Sequence, residues 1–126
     1  MSVLVDTSVW ADHFRRPNAV LAALAARDEL MTHPMVVAEL ACGTPPEPRL
    51  ATLGDLDLLQ TANQASIAEL RELIEREKLY GLGCGLMDLS LLASTLITPG
   101  TRLWTLDGRL AALSERFGVG FAPRVH

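Results

Sequence analysis

The chain has 126 residues, a length that predicts one domain spanning 1–126. Hydrophobic residues make up 49% of it, enough for a full core with some left over for a subunit interface. A formal net charge of −4 argues against a protein that coats nucleic acid electrostatically, but not against a nuclease, whose site must be acidic if it holds metal.

Met1 to Asp6 reads as a short buried strand, apolar through Val3-Leu4-Val5 and ended by a polar cluster. Thr7 to Arg15 starts a helix, with Asp6, Thr7 or Ser8 available as N-cap, and Pro17-Asn18 breaks it. Ala19 to Arg27 is helical and Leu30 to Thr32 a second short strand; Pro34 then fits the first turn of a helix running to Cys42. Gly43-Thr44-Pro45-Pro46-Glu47-Pro48 is a loop, followed by a helix over Arg49 to Asp55 and a weak strand near Leu58 to Gln60. Ala65 to Tyr80 carries the strongest helical pattern. Ile67, Leu70 and Ile74 share a face, Glu72 and Arg76 are spaced as an i,i+4 pair, and Gly81 stops the helix. Leu86 to Ile97 is a nearly all-apolar helix, expected to be buried on most sides. Pro99-Gly100 turns the chain into a strand from Arg102 to Leu106, a helix from Gly108 to Phe117 and a last strand from Val119 to Ala122. Strands alternating with helices predict an α/β fold, a short parallel central sheet flanked by helices.

The N-terminal apolar stretch is too short for a signal peptide and lacks a charged region before it. The longest uncharged segment, Leu79 to Thr101, holds four Gly and a Pro and is no membrane span. Cys42 and Cys84 form no C-x-x-C and read as free thiols in a reducing compartment, so a cytoplasmic location is expected. Ten Arg stand against one Lys, Lys78, and Arg suits bidentate phosphate contacts.

Four carboxylates sit in apolar settings. Asp6 follows Val3-Leu4-Val5. Glu39 is the only charge between Glu29 and Glu47, and Asp88 the only one between Lys78 and Arg102. Asp107 follows Leu103-Trp104-Thr105-Leu106. Taken singly, Asp6 and Asp88 read equally well as helix caps, Asp107-Gly108 as a turn, and Glu39 as a solvated side chain. As a set, two at strand ends and two near helix starts can meet at one edge of a parallel sheet. Two carboxylates about 5 Å apart at an effective dielectric near 20 repel by roughly 3 kcal/mol, and a bound hard cation, Mg²⁺ or Mn²⁺, lets all of them ionise. No Cys or His pattern supports zinc. Such a cluster in a small enzyme typically serves phosphoryl chemistry.

These residues also form an ordered pattern. Val5-Asp6-Thr7-Ser8-Val9-Trp10, then Val37-Ala38-Glu39-Leu40, then Gly83 through Ala93 centred on Met87-Asp88-Leu89, and finally Thr105-Leu106-Asp107 resemble the four acidic motifs of PIN domains, specifically those of VapC-type toxins. The resemblance covers nearly the whole chain. It implies a Mg²⁺- or Mn²⁺-dependent endoribonuclease acting on RNA, a homodimer, and a small cognate antitoxin that occludes the site and autoregulates a two-gene operon. By the same resemblance, Asp6 and Asp88 are the direct metal ligands, Glu39 and Asp107 complete the cluster, partly through water, and Ser8 and Thr105 orient carboxylates. The chain departs from many relatives after the fourth acid, where it has Gly108-Arg109; Arg109 is offered there as a phosphate contact or charge compensator. Arg15 and Arg16 are candidate RNA-backbone contacts, with a solvated pair as the alternative.

Competing readings are a phosphoacceptor receiver domain, disfavoured because Lys78 lies in a charged helix, a PIN-like RNA-processing nuclease that is no toxin, and a PIN-like module that binds without cutting. Gly81-Leu82-Gly83-Cys84-Gly85 follows a helix and not a strand, so it fails as a dinucleotide loop and reads as a helix stop. His13 and His33 have no nucleophile partner at a recognised spacing and are expected to be structural.

Overall fold

Val3, Leu4 and Val5 are fully buried, and this apolar run suits β1 (Ser2–Val5) to an interior position in a parallel sheet. In the computed structural model, which describes residues 1–123, the sheet order is β3-β2-β1-β4, with β2 at Leu30–Thr32, β3 at Gln60–Thr61 and β4 at Thr101–Trp104. The register pairs Leu4 with Met31 on one side of β1 and Val5 with Trp104 on the other. Helices link the strands: α1 (Thr7–Arg15), α2 (Ala19–Ala26), α3 (Pro34–Ala41), α4 (Arg49–Asp57), α5 (Ile67–Glu77), α6 (Leu86–Ile97) and α7 (Gly108–Arg116). The chain is thus an α/β fold, and none of its described helices is long and apolar enough to cross a membrane.

The strand order positions the site. The chain winds outward from β1 through β2 to β3, then returns to β4 on the other side of β1. The winding direction reverses between β1 and β4, and the carboxyl ends of two such strands open a crevice. Asp6 follows β1 and Thr105 follows β4 directly at that crevice.

Helix α6 spans the expected residues, with Leu89 to Thr95 buried and only its ends, Leu86 and Ile97, exposed. Other expectations need correction. The last strand is not formed: residues 119–121 make a single parallel bridge, Leu103 with Gly120, through Leu103 N–H to Val119 O and Phe121 N–H to Leu103 O. Pro123 offers no N–H to continue a ladder. Strand β3 lies at Gln60–Thr61, and Leu58 is 85% exposed, because α4 runs two residues further than its pattern suggested. Helix α5 is shorter than expected. Ser66 and Glu69 form a reciprocal capping box at its start, and Lys78 in the left-handed region (φ 55) ends it before Gly81. Ile67 is 67% exposed and Leu73 takes its place in the core beside Leu70. The Glu72–Arg76 pair does not form; Arg76 instead lies 3.8 Å from Glu77.

Candidate functional site

Asp6 occupies the N-cap position of α1, yet its side chain caps nothing. Its backbone is clamped between the sheet and the helix: Asp6 N–H donates to Trp104 O at 2.9 Å and its carbonyl accepts from Val9 N–H at 3.0 Å. The carboxylate, 6% exposed, is taken up by hydroxyls. Ser8 Oγ and Thr105 Oγ1 both donate to Asp6 Oδ2, at 2.7 and 2.8 Å. Each hydroxyl in turn accepts a backbone N–H, Ser8 from Leu106 and Thr105 from Asp107, both at 3.0 Å. A carboxylate oxygen can only accept and a backbone N–H can only donate, so both hydroxyl protons point to the same Asp6 oxygen. Asp6 Oδ1 keeps no protein hydrogen bond among the described residues and is free to face the crevice.

The two hydroxyls reach Asp6 from α1 and from the end of β4, and only the β1–β4 pairing brings them together. Thr105→Val keeps the volume but removes a donor to a buried carboxylate and orphans the Asp107 N–H. We expect it to lower stability by about 1–3 kcal/mol, read as a fall in the urea midpoint at unchanged slope. A midpoint equal to wild type would show that the network carries no folding energy.

Asp88 stands in the first turn of α6, half-buried, with Oδ2 accepting from Gly85 N–H at 3.4 Å. Burial pushes its pKa above the ordinary carboxylate value. The Gly85 N–H opposes this, while the charges of Asp107, Asp6 and Glu39 add to it. Asp107 is exposed and caps α7, its Oδ1 accepting from Arg109 and Leu110 N–H at 3.0 Å each. The second oxygen of that carboxylate is not used in the cap. Glu39 is exposed on α3, contrary to its apolar sequence setting, because α3 turns that side away from the core residues Val36 and Leu40. It lines a cleft of about 520 Å³ with Thr7, Phe14, Arg15 and Pro45.

No Lys or Arg among the described residues lies within 4 Å of any of the four carboxylates; the ion pairs are Arg27–Glu29, Arg76–Glu77 and Arg116–Glu77. Nor are three or more His, Cys, Asp or Glu side chains among them gathered to enclose a metal ion unaided. The donors are all carboxylate oxygens with unused lone pairs. That set fits a hard divalent cation that keeps several of its waters and takes only one or two carboxylates directly. It does not fit a closed structural zinc cage.

Arg15 is exposed and lines the Glu39 cleft, while Arg16, also exposed, makes no side-chain hydrogen bond among the described residues. Arg109 lies against the loop before α6: its Nη1 donates to Gly83 O at 3.4 Å, and a Cβ on Gly83 (φ +84) would stand 2.6 Å from that nitrogen. The same loop carries Cys84 to the edge of the cluster, a position the sequence reading missed. Burial raises the Cys84 thiol pKa, Asp88 and Asp107 raise it further, and Arg109 opposes them. The available signal was its place four residues before Asp88 at a helix start. His33, expected to be structural, is 2% exposed and bonded through both ring nitrogens, to Met35 N–H at 3.1 Å and Ser94 Oγ at 3.1 Å.

Comparison with known proteins places this geometry in context. The family model described as PIN domain matches residues 3–116. The chain is 40% identical, over 98% of its own length and 98% of the relative's, to Ribonuclease VapC32 of Mycobacterium tuberculosis, in both the CDC 1551 / Oshkosh and the ATCC 25618 / H37Rv strains.

Proposed function

The chain belongs to the PIN-domain family, and from that premise we propose that it is a divalent-metal-dependent endoribonuclease, the toxin of a type II toxin–antitoxin pair. The observation that supports this reading is the Asp6 carboxylate, buried at the carboxyl end of β1 beside β4, held by the hydroxyls of Ser8 and Thr105 and with no Lys or Arg within 4 Å among the described residues. The relative's name, a ribonuclease, supplies the substrate class.

Mg²⁺, with Mn²⁺ as substitute, is the cation proposed; Asp6 and Asp88 would hold it, with Glu39 and Asp107 completing the carboxylate set. When bound, such a cation acidifies water and stabilises charge developing on the phosphate. The rest falls to the chain. Ser8 and Thr105 hold the Asp6 carboxylate in place through Oδ2, leaving Oδ1 without a protein hydrogen bond among the described residues. Asp107 fixes its own position by capping α7. Arg15, Arg16 and Arg109 are the guanidiniums proposed to take RNA phosphates, and none of them is within 4 Å of a carboxylate among the described residues. A cytoplasmic homodimer inhibited by a cognate antitoxin completes the proposal. Leu86 and Leu106, exposed beside Asp88 and Asp107, are apolar surface that such an interface would cover. Sedimentation of the purified chain should then give about twice 13.6 kDa; a monomer at high concentration would contradict the dimer.

The direct test is RNA cleavage under controlled metal. Mg²⁺ or Mn²⁺ should activate it and EDTA abolish it. The products should end in 5′-phosphate and 3′-hydroxyl, because water and not the ribose 2′-hydroxyl is the nucleophile. Products ending in 2′,3′-cyclic phosphate, or full activity in EDTA, would sink the reading.

A further inference from the structure

We infer that His33 is a positioning residue for the acid cluster: its imidazole ties the start of α3, which carries Glu39, to the middle of α6, which carries Asp88. This rests on the reading that those carboxylates hold a divalent cation.

His33 directly follows β2 and is the N-cap of α3, where its Nδ1 accepts the Met35 N–H at 3.1 Å. That bond assigns the lone pair to Nδ1, so the single proton of the neutral ring sits on Nε2. Nε2 stands 3.1 Å from Ser94 Oγ and donates to it. Both partners are sealed from water, His33 at 2% and Ser94 at 0% exposure. Burial lowers the His33 pKa, which keeps the ring in the neutral form that this pair of bonds requires.

Capping alone does not call for an imidazole. Ser, Thr, Asp or Asn caps a helix well and needs no buried ring. What those side chains lack is the second nitrogen that reaches across to α6. The tie matters because α3 otherwise packs mainly on α1 and α4, while α6 packs on α5, α7 and β4. Glu39 lies on the helix that His33 starts. Ser94 follows Asp88 on α6 by six residues, about 9 Å along the axis of a rigid helix. Releasing the tie lets the two helices shift relative to each other, and the two carboxylates shift with them. Removing a group bonded directly to a metal ligand costs roughly ten- to a hundredfold in affinity; His33 acts one step further out, through the helices, so the low end of that range is expected.

The test uses the full chain, with Mn²⁺ binding followed by the electron paramagnetic resonance of free Mn²⁺. His33→Asn retains an N-cap oxygen but cannot reach Ser94; Ser94→Ala retains the cap and removes only the acceptor. Each should weaken Mn²⁺ binding roughly tenfold, and the double variant should be no worse than either single, since both break one bond. Nitrogen-15 spectra of the wild type should show the Nε2–H tautomer at pH 7. Wild-type affinity in both variants, even with a lowered thermal midpoint, overturns the inference and leaves His33 a purely structural cap. So does the Nδ1–H tautomer, or additive losses in the double variant. A wild type that binds no Mn²⁺ overturns the metal-site reading itself, and this inference with it.

Discussion

Asp6→Asn and Asp88→Asn should each cut RNA cleavage by more than about a hundredfold while leaving the metal-free fold intact. For Asp88 the sign follows from its raised pKa. A carboxyl whose folded pKa lies above its unfolded value, 3.8, contributes stability that is fully present below that value and lost as the pH rises through the folded one. At pH 7 the ionised side chain is therefore a cost to the fold, set by burial first and then by the three neighbouring acids. The amide removes that cost and can still accept the Gly85 N–H. For Asp6 the amide oxygen can accept the hydroxyls of Ser8 and Thr105, so the circuit persists while the charge is gone. Cleavage and the thermal midpoint of the metal-free protein are measured for wild type and both variants. Full activity in either variant would remove that residue from the mechanism. A midpoint lower by ten degrees or more would assign it a structural role.

Trp104→Ala should be the most damaging core substitution, costing about 3–5 kcal/mol, a large part of the ~5–15 kcal/mol that holds a domain together. Trp104 is 2% exposed, pairs with Val5 across the β1–β4 ladder and packs against Phe121 with ring centroids 5.2 Å apart. Its carbonyl also accepts the Asp6 N–H, so the cavity opens beside the backbone that aims the site. Urea denaturation should show a much lower midpoint, or a chain already unfolded without denaturant. Leu58→Ala is the matched control: at 85% exposure it should stay within about 0.5 kcal/mol of wild type. A Trp104→Ala loss below about 1 kcal/mol would mean that the site edge of the sheet is held elsewhere.

Much of the architecture could be read from local pattern because the pattern was unopposed. The apolar run at Val3 to Val5 admits few conformations besides a buried strand, and the apolar stretch from Leu86 to Ile97 has no breaker until Pro99. Elements at the margin were misjudged where tertiary context outweighed propensity. Residues 119–121 have strand composition but only one neighbour and a proline ahead, so a single bridge forms. Ile67 fits the apolar face of α5 by period, yet that turn of the helix lies beyond the core and Leu73 is buried instead. Glu39 has apolar neighbours in sequence, but a helix rotates successive residues through about 100°, and of the two readings open to it the solvated one holds.

Residue types and their order are legible from the chain alone: α/β alternation, four isolated acids, the hydroxyls of Ser8 and Thr105, and the arginine-rich basic set. Local chemistry suffices for this because propensity, periodicity and charge spacing act within a few residues. Folding is what makes both hydroxyls serve one oxygen of Asp6, rests Arg109 on Gly83, brings Cys84 within the influence of the Asp88 and Asp107 charges, and joins His33 to Ser94, 61 residues away. Those contacts depend on strand register and helix rotation, which are settled by packing the whole core at once. A one-residue slip between β1 and β4 would turn Asp6 and Thr105 to different faces without altering a single local preference.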